Sequence, residues 1–104
     1  MTAFRVSGRA SNRLDEIYDY TRRKWGEAQA DNYIRGLFEK FNAIAGRDFP
    51  WRPIPAEFGV DGYLCRHEKH FIYWKQLADG KVGIVTVLHQ RMHQIERLKG
   101  DFGV

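Results

Sequence analysis

The sequence predicts an α+β domain with the element order β-α-α-β-β-β. Three observations lead there. Two stripes of apolar residues recur at helical spacing between Ala10 and Ala45, all three prolines then crowd into Pro50–Pro55, and three runs of strand-forming residues separated by tight turns fill Tyr63 to His89. A chain of 104 residues builds one domain around a single modest core.

The first element is a short strand over Ala3–Val6, closed by Ser7, whose hydroxyl is suited to cap a following helix by accepting a backbone N–H. Ala10, Leu14, Ile17, Tyr18, Thr21 and Trp25 form the first helical stripe, and Arg9, Arg13, Asp15, Glu16, Arg22 and Arg23 lie mostly outside it. Gly26 breaks that helix. A second stripe follows through Ala30, Tyr33, Ile34, Leu37, Phe38, Phe41, Ile44 and Ala45, and so short a connection implies an antiparallel helical hairpin. Glu27 and Asp31 near its start suit the positive end of the helix dipole.

After Gly46 the segment Phe49-Pro50-Trp51-Arg52-Pro53-Ile54-Pro55 excludes regular helix and central strand. Its aromatics make it an ordered lid over part of the core. Strands are expected over Tyr63–His67, Lys69–Leu77 and Lys81–His89, with turns near Glu68-Lys69 and Asp79-Gly80. In the last of them Val82, Ile84, Val85, Val87 and Leu88 occupy both faces, the pattern of a central strand buried on each side. The helical hairpin can cover one side; the loop, the C-terminal segment or a partner must cover the other.

Composition narrows function only coarsely. The hydrophobic fraction of 43% and aromatic fraction of 14% exclude a disordered chain, and the net charge of +4 favours an acidic partner. Cys65 is the single cysteine, so neither an internal disulfide nor a cysteine-based zinc site is available, which fits a reducing cytoplasm; we read it as a small core residue. The first residues lack the apolar core of a signal peptide and no apolar run approaches the ~20 residues that span a bilayer. A soluble cytoplasmic protein is the expectation.

The residues capable of chemistry collect in the last third. His67, His70, His89 and His93 lack the fixed spacing of a zinc site, so no metal is expected. Metal-independent RNA cleavage needs a base, a phosphorane-stabilising cation and an acid, and His89, Arg91 and Arg66 are of those types. The plainer reading has His89 ending its strand by bonding backbone while the two arginines are surface charges. A binding module is the third reading, with Arg9, Arg13, Arg22, Arg23 and Lys24 on the first helix receiving an acidic peptide.

Four segments carry a family resemblance in order: Leu14-Asp15-Glu16-Ile17; Trp25-Gly26-Glu27-Ala28-Gln29-Ala30 with Tyr33; His70-Phe71-Ile72-Tyr73-Trp74; and Val87-Leu88-His89-Gln90-Arg91-Met92. From Phe4 to about Leu98 the chain resembles the ParE-type toxins of the RelE/ParE superfamily, the toxin halves of bacterial type II toxin–antitoxin modules. The resemblance implies the topology already reached, with the hairpin packed on a small antiparallel-dominated sheet. It also implies a cognate antitoxin with an acidic, partly disordered tail that folds along the toxin.

RelE-like relatives cleave messenger RNA at the ribosome with a cluster of basic residues and a C-terminal tyrosine or histidine; ParE-like relatives generally lack the cluster and are associated with poisoning DNA gyrase. This chain has no tyrosine after Trp74 and no dense cationic array in Gln94–Val104. The resemblance therefore implies a noncatalytic poison without cofactor that inhibits growth by binding gyrase. Its target contacts would be His89, Arg91 and Met92 with a C-terminal helix over Gln94–Leu98. The alternative is a ribosome-dependent endoribonuclease built on His89, Arg91 and Arg66. No sequence-specific nucleic-acid binding is expected of the toxin alone.

Overall fold

The computed structural model describes residues 4–103. Its elements are β1 (Phe4–Val6), α1 (Gly8–Trp25), α2 (Glu27–Ala45), β2 (Arg52–Pro53), a 3₁₀ turn at Ala56–Phe58, β3 (Tyr63–His67), β4 (His70–Gln76), β5 (Val82–His89) and α3 (Gln94–Asp101). The expected order is present, with β2 and the 3₁₀ turn added to it, and the C-terminal helix expected over Gln94–Leu98 runs on to Asp101. Ala3, expected in the first strand, lies outside the described residues.

The five strands form one sheet in the order β1-β5-β4-β3-β2. Among the described residues only β1 pairs in parallel, with β5, so the sheet is antiparallel-dominated as expected. Central placement of β5 follows from its sequence: seven consecutive residues from Val82 to Leu88 are buried, which a strand open to water on one face would not tolerate.

Ser7 starts α1 as read from the sequence, its hydroxyl accepting from Ala10 N–H at 3.0 Å. The same hydroxyl donates to the Val85 carbonyl at 2.8 Å, so the cap also ties the helix start to the central strand. Gly26 separates the helices at φ 97°, a conformation that penalises any side chain. Asp31 lies beyond the first turn of α2 and instead accepts a 3.0 Å hydrogen bond from Tyr18 across the hairpin.

The hairpin covers one face of the sheet, burying Leu14, Ile17, Leu37, Phe41 and Ile44 against Ile72, Trp74, Ile84 and Val87. Trp25 departs from the expected stripe. It stands at the last position of α1 and is 62% exposed.

The proline-rich loop rounds the β3 edge and contributes to both faces. Phe49 and Trp51 pack on the hairpin-side core, the Trp51 indole donating to the Ile44 carbonyl at 3.0 Å, and the Arg47 guanidinium lies 3.6 Å from the Trp51 ring centre. Pro53 is accommodated in β2 because a two-residue strand at the sheet edge leaves one side unpaired. On the opposite face Ile54, Val60, Leu64, Tyr73, Leu88 and Leu98 form a second, smaller core closed by α3. The C-terminal segment and the loop thus supply the cover that the sequence left open. Cys65 is half-buried against the hairpin-side core, and burial pushes its thiol up to about 11.

Candidate functional site

One irregularity in β5 decides which residues meet at its end. From Val82 to Ile84 the strand pairs with β4 as Gln76↔Val82, Lys75↔Gly83 and Trp74↔Ile84, but Tyr73 then pairs with Thr86, leaving Val85 as an extra residue. This bulge shifts the register by one. Continued from the turn without it, the ladder would set His70 opposite Leu88 and turn His89 toward the α3 side. With it His70 pairs with His89, and both rings fall on the hairpin side.

The two imidazoles meet edge-on with centroids 5.1 Å apart. A 2.6 Å hydrogen bond joins the Tyr33 hydroxyl of α2 to His70 Nδ1. Burial, assisted by the neighbouring His89 and His67, pulls His70 down to about 4, while burial and Glu68 push Tyr33 up to about 12. His89 is also lowered, by burial and then by Arg91 and Lys69. At neutral pH the cluster is therefore uncharged.

An open groove runs beside this pair, between α1 and the ends of β4 and β5. It consists of two adjoining hollows of about 410 and 310 Å³ that share Tyr20, Thr21, His70, His89 and Arg91. Ile17, Val87 and Met92 give the larger hollow an apolar floor; Lys24, Trp25 and Lys69 border the smaller one. His89, Arg91 and Met92, singled out in sequence, thus line one groove. His89 Nδ1 accepts the Arg91 backbone N–H at 3.1 Å, so this nitrogen is occupied by the turn itself, as the plainer reading of a strand-ending histidine expects.

Arg66 is not brought to them. It shares the α3 side of the sheet with Phe71, its register partner, and its guanidinium donates to the Glu68 carbonyl at 2.7 Å and to Gln90 Oε1 at 2.6 Å. Of the three residues named for RNA cleavage, His89 and Arg91 line the groove and Arg66 is held by Glu68 and Gln90.

The α1 arginines fall into two groups. Arg22 and Arg23 are exposed and both pair with Asp19. Arg13 is mostly buried and Arg9 exposed; both reach the carboxylate of Asp101 on α3, at 3.2 and 3.7 Å.

Several residues of the site were not singled out in sequence. Tyr33 read as one member of an apolar stripe. Tyr20 carried no spacing signal for the groove, and Lys24, read from sequence as a cation for an acidic peptide, instead lies at the groove 5.5 and 5.8 Å from the Tyr20 and Trp25 ring centres. Gln94 entered only as the first residue of the expected C-terminal helix and Asp101 had no signal, because their contacts depend on where α3 docks.

Comparison with known proteins decides the family. Residues 4–94 match the model of the ParE toxin of type II toxin–antitoxin system, parDE. The chain belongs to the ParE toxin family. It is 32% identical over 98 residues to Toxin ParE of Escherichia coli, covering 94% of each chain. It is 34% identical to Toxin ParE1 of Caulobacter vibrioides, covering 89% of this chain and 94% of that one. A solved structure titled "Chromosomal ParDE TA system from P. aeruginosa" superposes with a TM-score of 0.68 over 86% of this chain and 96% of the other, at 16% identity, a likeness of fold. The chain is thus a ParE toxin of a type II toxin–antitoxin system. Among the described residues no helix of this ParE toxin is long and apolar enough to cross a membrane.

Proposed function

We propose that this ParE toxin inhibits growth as a noncatalytic cytoplasmic poison of DNA gyrase, engaging it through His89, Arg91, Met92 and the first turns of α3. The observation that carries the reading is the gathering of those three residues on one open groove while Arg66 is held on the other face of the sheet. A groove with an apolar floor and a cation at its rim suits protein contact, in which a few anchors supply most of the affinity.

A cognate acidic antitoxin neutralises the toxin by laying its tail along the outer face of α1. Arg9, Arg22 and Arg23 offer exposed guanidinium groups there, and carboxylates of the tail replace Asp19 as the partners of Arg22 and Arg23. Arg13 lies deeper and contributes at the edge of that surface.

The test is incubation of the purified toxin with gyrase and supercoiled plasmid. Trapped double-strand breaks are expected, reduced by Arg91→Ala and Met92→Ala and abolished by prior addition of the antitoxin. Intact plasmid together with cleaved messenger RNA in translating cells would overturn the reading in favour of the endoribonuclease.

A further inference from the structure

In the turn that carries His89, Arg91 and Met92, Met92 packs against the smaller core. The shape of the turn is set by α3, and α3 is only eight residues long, too short to be stable unless it is anchored. Leu98, fully buried, anchors the middle. Polar side chains anchor both ends.

At the first position of α3, the Gln94 amide donates to the carbonyls of His89 and Met92, each at 2.9 Å, and its oxygen accepts from the Tyr73 hydroxyl at 2.7 Å. One side chain thus bridges the start and end of the turn and fastens both to β4. At the last position, the Asp101 carboxylate is 2% exposed and accepts from Thr86 Oγ1 of β5 at 2.8 Å while pairing with Arg13 and Arg9 of α1. A carboxylate so deeply buried is retained only with such partners, and removing it leaves the Arg13 guanidinium with its 3.5 Å pair to Glu16.

We infer that Gln94 and Asp101 are positioning residues: they pin the two ends of α3 so that the His89–Met92 turn is presented to the target in a single shape. The inference rests on the reading that this turn contacts the target. It differs from that reading in making residues that need not touch the target necessary for its engagement. Ordering the turn before association removes an entropic cost that a loose turn would incur on binding.

The test compares Gln94→Ala, Asp101→Asn, Thr86→Val and Thr86→Ser by amide hydrogen exchange and by growth inhibition on graded expression. Gln94→Ala and Asp101→Asn are expected to speed exchange at Arg91, Met92 and the α3 amides by about tenfold or more, with Val82–Ile84 unchanged. Both should raise the dose needed for growth arrest by a similar factor. Thr86→Val should act in the same direction more weakly, and Thr86→Ser, which keeps the hydroxyl, should restore wild-type behaviour. That pair also decides the matter if either of the first two variants fails to fold.

Unchanged exchange at the turn would overturn the inference, as would faster exchange with undiminished toxicity. A wild-type protein that arrests growth without affecting gyrase removes the gyrase reading and leaves the positioning role to be judged by these same variants.

Discussion

The two faces of the sheet are closed in different ways. On the hairpin side, 37 residues of helix lay a continuous apolar surface over the strands, and Phe41, with no exposure, meets the rings of Phe4 and Phe38 at 5.6 and 5.2 Å. On the other side an eight-residue helix and a 3₁₀ turn cover a core half the size, and polar anchors at Gln94 and Asp101 supplement what apolar area supplies. Burial is non-directional and tolerates sliding; hydrogen bonds and ion pairs fix position. The first face supplies stability and the second supplies placement of the turn.

The comparison breaks if the two cores respond alike. Phe41→Ala should cost about 3–5 kcal/mol and lower protection across the whole sheet, because it empties a site that both helices and β1 enclose. Leu98→Ala should cost about 2–5 kcal/mol when measured by denaturant unfolding, yet expose α3 to exchange well before β3–β5. Uniform loss of protection in both variants would show a single cooperative core and remove the division of labour.

Acid should strike the hairpin side through His70. Its folded value of about 4 lies below the ordinary 6.5, so between those values the unfolded chain binds a proton that the folded chain refuses. Stability from this group is complete above pH 6.5, falls as the pH drops toward 4 and changes no further below it. The difference amounts to about 3 kcal/mol. His67 and His89, also lowered, add in the same direction. Urea midpoints at several pH values should show His70→Gln, which cannot titrate, losing less over this window than wild type. Parallel slopes would mean that His70 is not a buried neutral group.

The unequal legibility of the two faces has a physical cause. The helical stripes and the strand runs were readable because burial of a regular element leaves a period in the sequence, and the absence of alternation in β5 gave its central place. The family motif singled out His89, Arg91 and Met92, which line one groove. The pairing of His70 with His89 was hidden because register counted from the Asp79-Gly80 turn is off by one past Val85, and nothing in a run of valine and isoleucine announces a bulge. Trp25 fitted the helical period and is nonetheless exposed, since periodicity says which face a residue occupies and not what covers it there. The anchoring of α3 by Gln94 and Asp101 depends on contacts to β4, β5 and α1 that no local pattern encodes.

The bulge itself offers the smallest and sharpest test of how residues are divided between the faces. Ser7 is bound to it twice: its backbone N–H donates to the Ile84 carbonyl at 3.0 Å and its hydroxyl to the Val85 carbonyl at 2.8 Å, while the same oxygen caps α1. Ser7→Ala should therefore cost about 1–2 kcal/mol, the sum of a lost cap and an unpaired carbonyl at a part-buried site. Ser7→Asn should recover the cap but not the short bond to Val85. If the hydroxyl merely caps the helix, the two variants will differ in stability and leave the His70 and His89 ring signals unmoved in NMR spectra. If it also holds the extra residue in place, both variants will shift those signals, because His89 reaches the hairpin side only while Val85 remains outside the ladder.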